Sequence, residues 1–263
     1  MKYDVFGREN AAAGTVVLSG GLGGTFGFWR PQIPALAACY RVIAYDHRGT
    51  GANAGPLPPD YSIAAMAQDV ADILDEAGIA GCHFVGHALG GLVGLELALA
   101  RPQAVRSLVL VNAWGRTEAH SKRCFAARKA LLLNTGVEAY VKAQPLFLYP
   151  AAWMSENAAR IEADDAHGIA HFQGTDTLLK RIAALEAFDL TARLGEIAAP
   201  ALVMATRDDI LVPWTASQHL AAGLPAGRLD LWPEGGHGFS AVLPEAFNAA
   251  VLRFLSAHGP ARA

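Results

Sequence analysis

The sequence has little cysteine and lacks the spacings typical of a disulfide framework or a metal site. Its three cysteines, Cys39, Cys82 and Cys124, are odd in number and irregularly spaced, which predicts reduced thiols in a cytoplasmic protein. The nine histidines are scattered, and no His-x-x-x-His or Cys-x-x-Cys pair stands near a third ligand. We therefore expect no metal and no other cofactor.

The sequence is also poor in net charge and in long apolar runs. Lys and Arg number 21 against 24 Asp and Glu, a formal charge of −3, so nothing points to nucleic acid or to an anionic membrane surface. The longest apolar stretch, 84–100, contains His87, Glu96 and several glycines, and it is short for a membrane span. The first ten residues lack the apolar run of a signal peptide. The expected partner is a small molecule, and a homodimer is left open.

Short strand-like runs alternate with helical patterns along much of the chain. The 263 residues, 52% of them hydrophobic, are enough for one large domain. Buried strands are predicted at 15–19, 41–45, 82–85, 107–111, 200–205 and 228–232. Helical apolar spacing follows Ser62, which can cap a helix that Gly78 ends. This alternation is typical of an α/β fold with a mostly parallel sheet covered by helices.

The alternation stops in one long segment, which we interpret as an insertion. Between about residues 115 and 198 the pattern is helical and is interrupted by two prolines. The strand pattern resumes directly afterwards. The predicted organisation is one α/β core formed by residues 1–114 and 199–263, with a helical cap at 115–198 over the edge of the sheet.

The motif Gly86-His87-Ala88-Leu89-Gly90 follows a predicted strand and precedes a predicted helix. This is the frame of a nucleophile elbow, in which two glycines let strand and helix approach and the central side chain is thrust out at the helix N-terminus. An ordinary glycine-rich turn is the alternative, but the flanking elements favour the elbow. The central residue is Ala88, which has no nucleophilic atom, and no serine lies nearby in sequence to replace it.

A second glycine-rich segment, 20–24, follows the first predicted strand. In folds with such an elbow, the matching loop gives one backbone N–H to an oxyanion hole, and the residue after the nucleophile gives the other. This pattern nominates the backbone N–H groups of Leu22 and Leu89. A phosphate-binding loop is less favoured, because the segment lacks the third glycine of a dinucleotide fingerprint.

Two late segments supply an acid and a base in the chain order nucleophile, acid, base. The segment 206–209 follows the fifth predicted strand, where such folds place the carboxylate that orients a histidine. Spacing back from Pro213 favours Asp209 over Asp208, and two solvated loop acids are the simpler alternative. His237 stands between glycines, 28 positions after Asp209, and is predicted to be the base.

Together with residues 46–51, these motifs resemble the α/β-hydrolase superfamily over nearly the whole chain. Further stretches are similar to one branch of that superfamily, the hydrolases of carbamate or aminoacrylate in bacterial pyrimidine utilisation. These stretches are 61–64, 123–125, 143–151 and 170–174, together with 86–90 itself. The resemblance implies hydrolysis of a C–N bond in a small labile product of uracil degradation. It also makes Ala88 a feature of this kind of protein.

Alanine at the elbow closes any route through a covalent acyl-enzyme. His237, Asp209 and two backbone donors remain, and such a set can hold a water and transfer protons to or from an unstable substrate. Because both implied substrates are small anions, a positive group should face the pocket. The candidates are Arg123 and His171 in the cap, and also Arg128 and Lys180.

Two other interpretations stay open. A non-catalytic binding or scaffold module would keep the fold without the chemistry, which Ala88 favours and the retained His237 and Asp209 disfavour. The second is a serine esterase that carries an engineered Ser→Ala change. The sequence alone does not decide among the three.

Overall fold

The computed structural model describes residues 1–259. Seven strands form one sheet in the order β1-β3-β2-β4-β5-β6-β7. The strands are β1 (Asp4–Phe6), β2 (Thr15–Ser19), β3 (Arg41–Ala44), β4 (Cys82–His87), β5 (Val105–Val111), β6 (Ala201–Thr206) and β7 (Gly227–Trp232). Strand β1 is antiparallel to β3, and the other pairings are parallel.

Eleven α-helices accompany the sheet within the described residues. They are α1 (Ile33–Ala37), α2 (Ile63–Glu76), α3 (Leu89–Ala100), α4 (Ala119–Asn134), α5 (Val137–Leu148), α6 (Ala151–Glu156), α7 (Ala158–Ala170), α8 (Thr175–Ala187), α9 (Trp214–Gly223), α10 (Phe239–Val242) and α11 (Pro244–Ala257). Across residues 1–259, no helix combines the length and the apolar character needed to cross a membrane.

The central strands are buried on both faces, because helices cover the sheet on each side. Every residue of β2, β4 and β6 is buried. Successive residues alternate between two apolar layers, as the strand period of two requires. Phe84 packs in the layer that includes α2 and α3, and Val85 packs in the layer that includes α11. The mostly parallel sheet flanked by helices that the sequence predicts is confirmed.

The structure differs from the sequence expectation mainly at element ends. Strand β1 is absent from the prediction, because three residues at a sheet edge are too few to show a periodic pattern. Strand β4 runs two residues beyond its predicted end, to His87. Helix α3 begins at Leu89 instead of Gly91. Both shifts tighten the turn that holds Ala88.

Five helices, α4 to α8, lie between β5 and β6, within the predicted cap limits of 115 and 198. Hydrogen bonds join them to the loops that leave the carboxyl ends of the strands. Ser121 Oγ donates to the Leu211 carbonyl (2.9 Å), Gln173 Nε2 donates to the Leu22 carbonyl (3.2 Å), and the Gly238 N–H donates to the Leu148 carbonyl (2.8 Å). The inserted helices therefore cover the carboxyl end of the sheet, where β4 meets α3.

Candidate active site

The turn between β4 and α3 places Ala88 in a conformation that is rare for a residue with a side chain. Its φ is 47° and its ψ is −112°. The flanking glycines have no room for a side chain, since a Cβ on Gly86 would collide with the Gly90 carbonyl, and a Cβ on Gly90 would collide with the Ser19 carbonyl. This packing forces the sharp turn, and the Ala88 methyl group lines a cavity beneath the cap.

His237 and Asp209 form a buried pair beside that methyl group. His237 Nδ1 lies 2.7 Å from Asp209 Oδ2, and each side chain is 2% exposed. The other carboxylate oxygen of Asp209 accepts hydrogen bonds from the backbone N–H groups of Leu211 (2.8 Å) and Val212 (2.9 Å). Because a carboxylate oxygen accepts, Nδ1 of His237 is the donor of the bond to Oδ2. The lone pair of His237 is therefore on Nε2, and the residue lines the cavity.

Asp208, the neighbour that the sequence also offered, has a different environment. Its carboxylate accepts the backbone N–H groups of Gly235 (3.0 Å) and Gly236 (2.9 Å). Both glycines have positive φ values, 128° and 68°, which glycine adopts without steric cost. Asp208 thus fixes the loop that carries His237, while Asp209 contacts the imidazole.

Two buried side chains that sequence reasoning missed hold the backbone of His237. Its carbonyl accepts Nε2–H of His87 (2.9 Å) and Nδ2–H of Asn112 (2.8 Å). The His87 ring stacks on Phe28 with centroids 4.3 Å apart. Burial, together with nearby His237, holds the pKa of His87 well below its usual range, so the ring is neutral. The position of His87 inside the elbow motif was the available signal; Asn112 has a positive φ of 48° but no sequence motif.

Side chains of the cap hold the glycine loop that follows β2. Arg181 Nη2 donates to the Gly21 carbonyl (3.4 Å), and Gln173 Nε2 donates to the Leu22 carbonyl (3.2 Å). Arg181 Nη1 also donates to Gln173 Oε1 (3.1 Å), which joins the two. Among residues 1–259, no acceptor takes the backbone N–H of Leu22 or of Leu89. Both residues line the cavity.

The cavity has a volume of about 200 Å³, below the range of about 300–1,000 Å³ usual for drug-sized ligands. Its walls are mainly apolar and include Phe28, Trp114, Phe125, Leu148, Leu185 and Leu211. Arg128 is the guanidinium on its wall. Within the described residues, no group of three His, Cys, Asp or Glu side chains is placed to hold a metal ion. The site therefore suits a small molecule with few heavy atoms.

The two predicted substrate-binding residues do not line this cavity. Arg123 lies on the exposed side of α4. His171 is exposed, stacks on His167 with centroids 4.2 Å apart, and lines a neighbouring cavity. The arginine that lines the cavity is Arg128, five residues after Arg123 on the same helix.

Comparison with known proteins places this site in a family. The family described as alpha/beta hydrolase fold matches residues 14–241. RutD of Agrobacterium fabrum is 53% identical over 255 residues, which cover 97% of this chain and 98% of that protein. The chain belongs to the RutD family of α/β hydrolases. RutD of Variovorax paradoxus is 54% identical, over 97% of this chain and 96% of its own. The names of both relatives give carbamate hydrolase as an inferred activity.

Solved structures show the same fold across other hydrolases. A hydrolase from Pseudomonas aeruginosa is 31% identical with a TM-score of 0.86, over 96% of this chain and 93% of that one. The enol-lactonase of Burkholderia xenovorans is 26% identical with a TM-score of 0.88, over 97% and 96%. The protein is therefore a hydrolase with the α/β-hydrolase fold.

The packing at the elbow makes a prediction about stability. G90A should lose about 1–3 kcal/mol of unfolding free energy, because backbone atoms cannot move aside as a flexible side chain can. Urea unfolding followed by circular dichroism measures the loss. G23A is the matched control, since a Cβ there meets nothing within 4 Å, and it should stay close to wild type. An equal effect of both changes would contradict the packing argument.

Proposed function

We propose that this hydrolase acts on a small labile product of pyrimidine breakdown, carbamate or aminoacrylate, through water and proton transfer. The observation that carries the proposal is the buried His237–Asp209 pair, at 2.7 Å, beside a nucleophile position that holds only the Ala88 methyl group. The relatives named for carbamate hydrolysis support the same class of substrate.

The absence of a nucleophile limits which reactions are feasible. Loss of a triad serine costs about a millionfold in rate for substrates that need a covalent intermediate. Carbamate and aminoacrylate do not need one, because both decompose in water without a catalyst. A modest gain from proton transfer, about 10²–10⁴-fold, is enough to make an enzyme useful on such a substrate.

His237 transfers the protons in both candidate reactions. With carbamate, Nε2 of His237 first takes up a proton from solvent and passes it to nitrogen, the C–N bond breaks, and ammonia and carbon dioxide leave. Aminoacrylate first tautomerises to an imine, whose carbon is attacked by water while Nε2 of His237 accepts the water proton. That proton passes to nitrogen and gives a carbinolamine. The hydroxyl proton of the carbinolamine then reaches nitrogen through His237, the C–N bond breaks, and ammonia leaves behind an aldehyde. Asp209 stabilises the imidazolium that forms between the two transfers.

The N–H groups of Leu22 and Leu89 are the donors for negative charge that develops on oxygen. In a trans peptide the carbonyl and the following N–H point in opposite directions. Because Arg181 draws the Gly21 carbonyl toward the cap, the Leu22 N–H is turned away from the cap side chain. Leu89 is the first residue of α3, where the N–H has no partner within the helix. Donors at such positions commonly stabilise oxyanions.

Replacement of the base tests the proposal directly. H237A should reduce the enzyme-dependent release of ammonia by about 10²–10⁴-fold, measured on freshly prepared carbamate and aminoacrylate and corrected for the uncatalysed reaction. H219A is the matched control, because that side chain is 76% exposed, and it should keep the wild-type rate. Unchanged ammonia release by H237A would exclude this mechanism.

A serine restored at the elbow separates the proposal from its two alternatives. We expect the Ala88 protein to release ammonia from carbamate or aminoacrylate, and A88S to gain little on those substrates. Turnover of an activated ester only by A88S, with no ammonia release by the Ala88 form, would favour a serine esterase that carries an engineered Ser→Ala change. Inactivity of both forms on all substrates would favour a binding protein.

A further inference from the structure

Arg128 is a buried cation without an anionic partner, and it lines the catalytic cavity. The residue lies on α4 and is 4% exposed. Among residues 1–259, no carboxylate oxygen lies within ion-pair distance of its guanidinium. Burial of an unpaired charge costs several kcal/mol. An anion bound beside Arg128 in the cavity would offset this cost.

The contacts of Arg128 hold the guanidinium in place but leave its charge uncompensated. Nη2 donates to Gln144 Oε1 and to Tyr140 Oη (3.1 Å). The rings of Phe125, Tyr140 and Phe147 lie 5.6–5.8 Å from Cζ, where each adds only about 0.5–2 kcal/mol of attraction. All these partners are neutral, so they orient the fork without neutralising it.

One nitrogen of the guanidinium, Nη1, remains available to a ligand. Nε is fully buried and has no hydrogen-bond partner. Nη1 also has no hydrogen-bond partner within the described residues, yet it is not among the fully buried polar atoms. Nη1 is therefore an unpartnered donor that a ligand can reach, on a residue that lines the cavity. An N–H pair of this kind suits an oxygen of a carboxylate.

We propose that Arg128 is the substrate's carboxylate anchor, so that the site selects small monocarboxylate anions over neutral molecules of the same shape. Two other cap arginines do not fit this role. Arg181 is fully buried, and its two Nη atoms already donate to Gln173 and Gly21. Arg123 is exposed and outside the cavity. The proposal rests on the proposed function for the identity of the reaction. The binding of an anion at Arg128 does not depend on that reaction.

The position of Arg128 also constrains how the substrate lies. It lines both the catalytic cavity and a neighbouring one of about 260 Å³, whereas His237 and Ala88 line the catalytic cavity alone. A carboxylate held at this junction leaves the rest of the molecule to extend toward His237. The arrangement favours a short-chain substrate whose reacting carbon is separate from its carboxylate carbon.

The first test uses the wild-type protein and two unreactive probes of the same shape. Propionate carries the carboxylate and propionamide does not. In NMR titrations we expect propionate to bind at least about tenfold more tightly, as a charge-assisted hydrogen bond requires. Comparable affinities for the two probes would overturn the anchor. Both probes are stable in water, so binding is measured without turnover and this outcome does not depend on the proposed reaction.

The second test assigns the effect to Arg128. R128Q should weaken propionate binding at least about tenfold, and R128K should fall between R128Q and wild type because it keeps the charge but loses the planar fork. R123Q, on the same helix but outside the cavity, is the matched control and should bind propionate as wild type does. Near-UV circular dichroism checks folding. Wild-type affinity in folded R128Q would overturn the proposal; if R128Q does not fold, R128K decides by the same criterion.

Discussion

The hydrogen bond between His237 Nδ1 and Asp209 Oδ2 determines what the rest of this site can do. It leaves the lone pair of the imidazole on Nε2, beside an elbow position that carries only the Ala88 methyl group. The surrounding contacts hold the two side chains in the geometry of that bond. Backbone N–H groups hold the Asp209 carboxylate in place, Asp208 fixes the glycine turn before His237, and His87 with Asn112 anchors the His237 carbonyl. Several buried polar groups thus serve to orient the imidazole ring of His237.

The cap contributes two buried positive charges near the cavity. Two of its arginines are buried without a carboxylate, and each has a separate task in this account. Arg181 binds the Gly21 carbonyl and so orients the loop that carries the Leu22 N–H. Burial lowers the pKa of Arg181 to about 10, which leaves it charged at neutral pH. Arg128 keeps its Nη1 without a partner and within reach of a ligand. An anionic substrate completes this arrangement, because it supplies the negative charge that the protein omits.

The sequence predicts the core of this site well, because its residues sit in local motifs. The elbow around Ala88, the loop at 20–24 and the order of Asp209 and His237 can be read from short patterns next to strands. The cap is harder to read. Helix α4 has no apolar stripe, so its inward face is not visible in the sequence. Arg123 and Arg128 are five residues apart, about 140° around a helix, so only one of them can face the cavity.

Contacts between distant segments also escape a local reading. Asn112 follows β5 and His87 ends β4, and they meet the His237 carbonyl across 125 and 150 residues of chain. Only the packed sheet brings these groups together. The same holds for Gln173, which reaches Leu22 from 151 residues away. Motifs identify groups that react, whereas groups that position them are found only in three dimensions.

The tautomer of His237 is the most direct test of the account, because proton transfer by Nε2 requires its lone pair to face the cavity. Imidazole ¹⁵N NMR, recorded where the ring of His237 is neutral, resolves the two nitrogens. The account predicts a protonated Nδ1 and an unprotonated Nε2 in wild type, with that preference lost in D209N. A proton on Nε2 in wild type would contradict it.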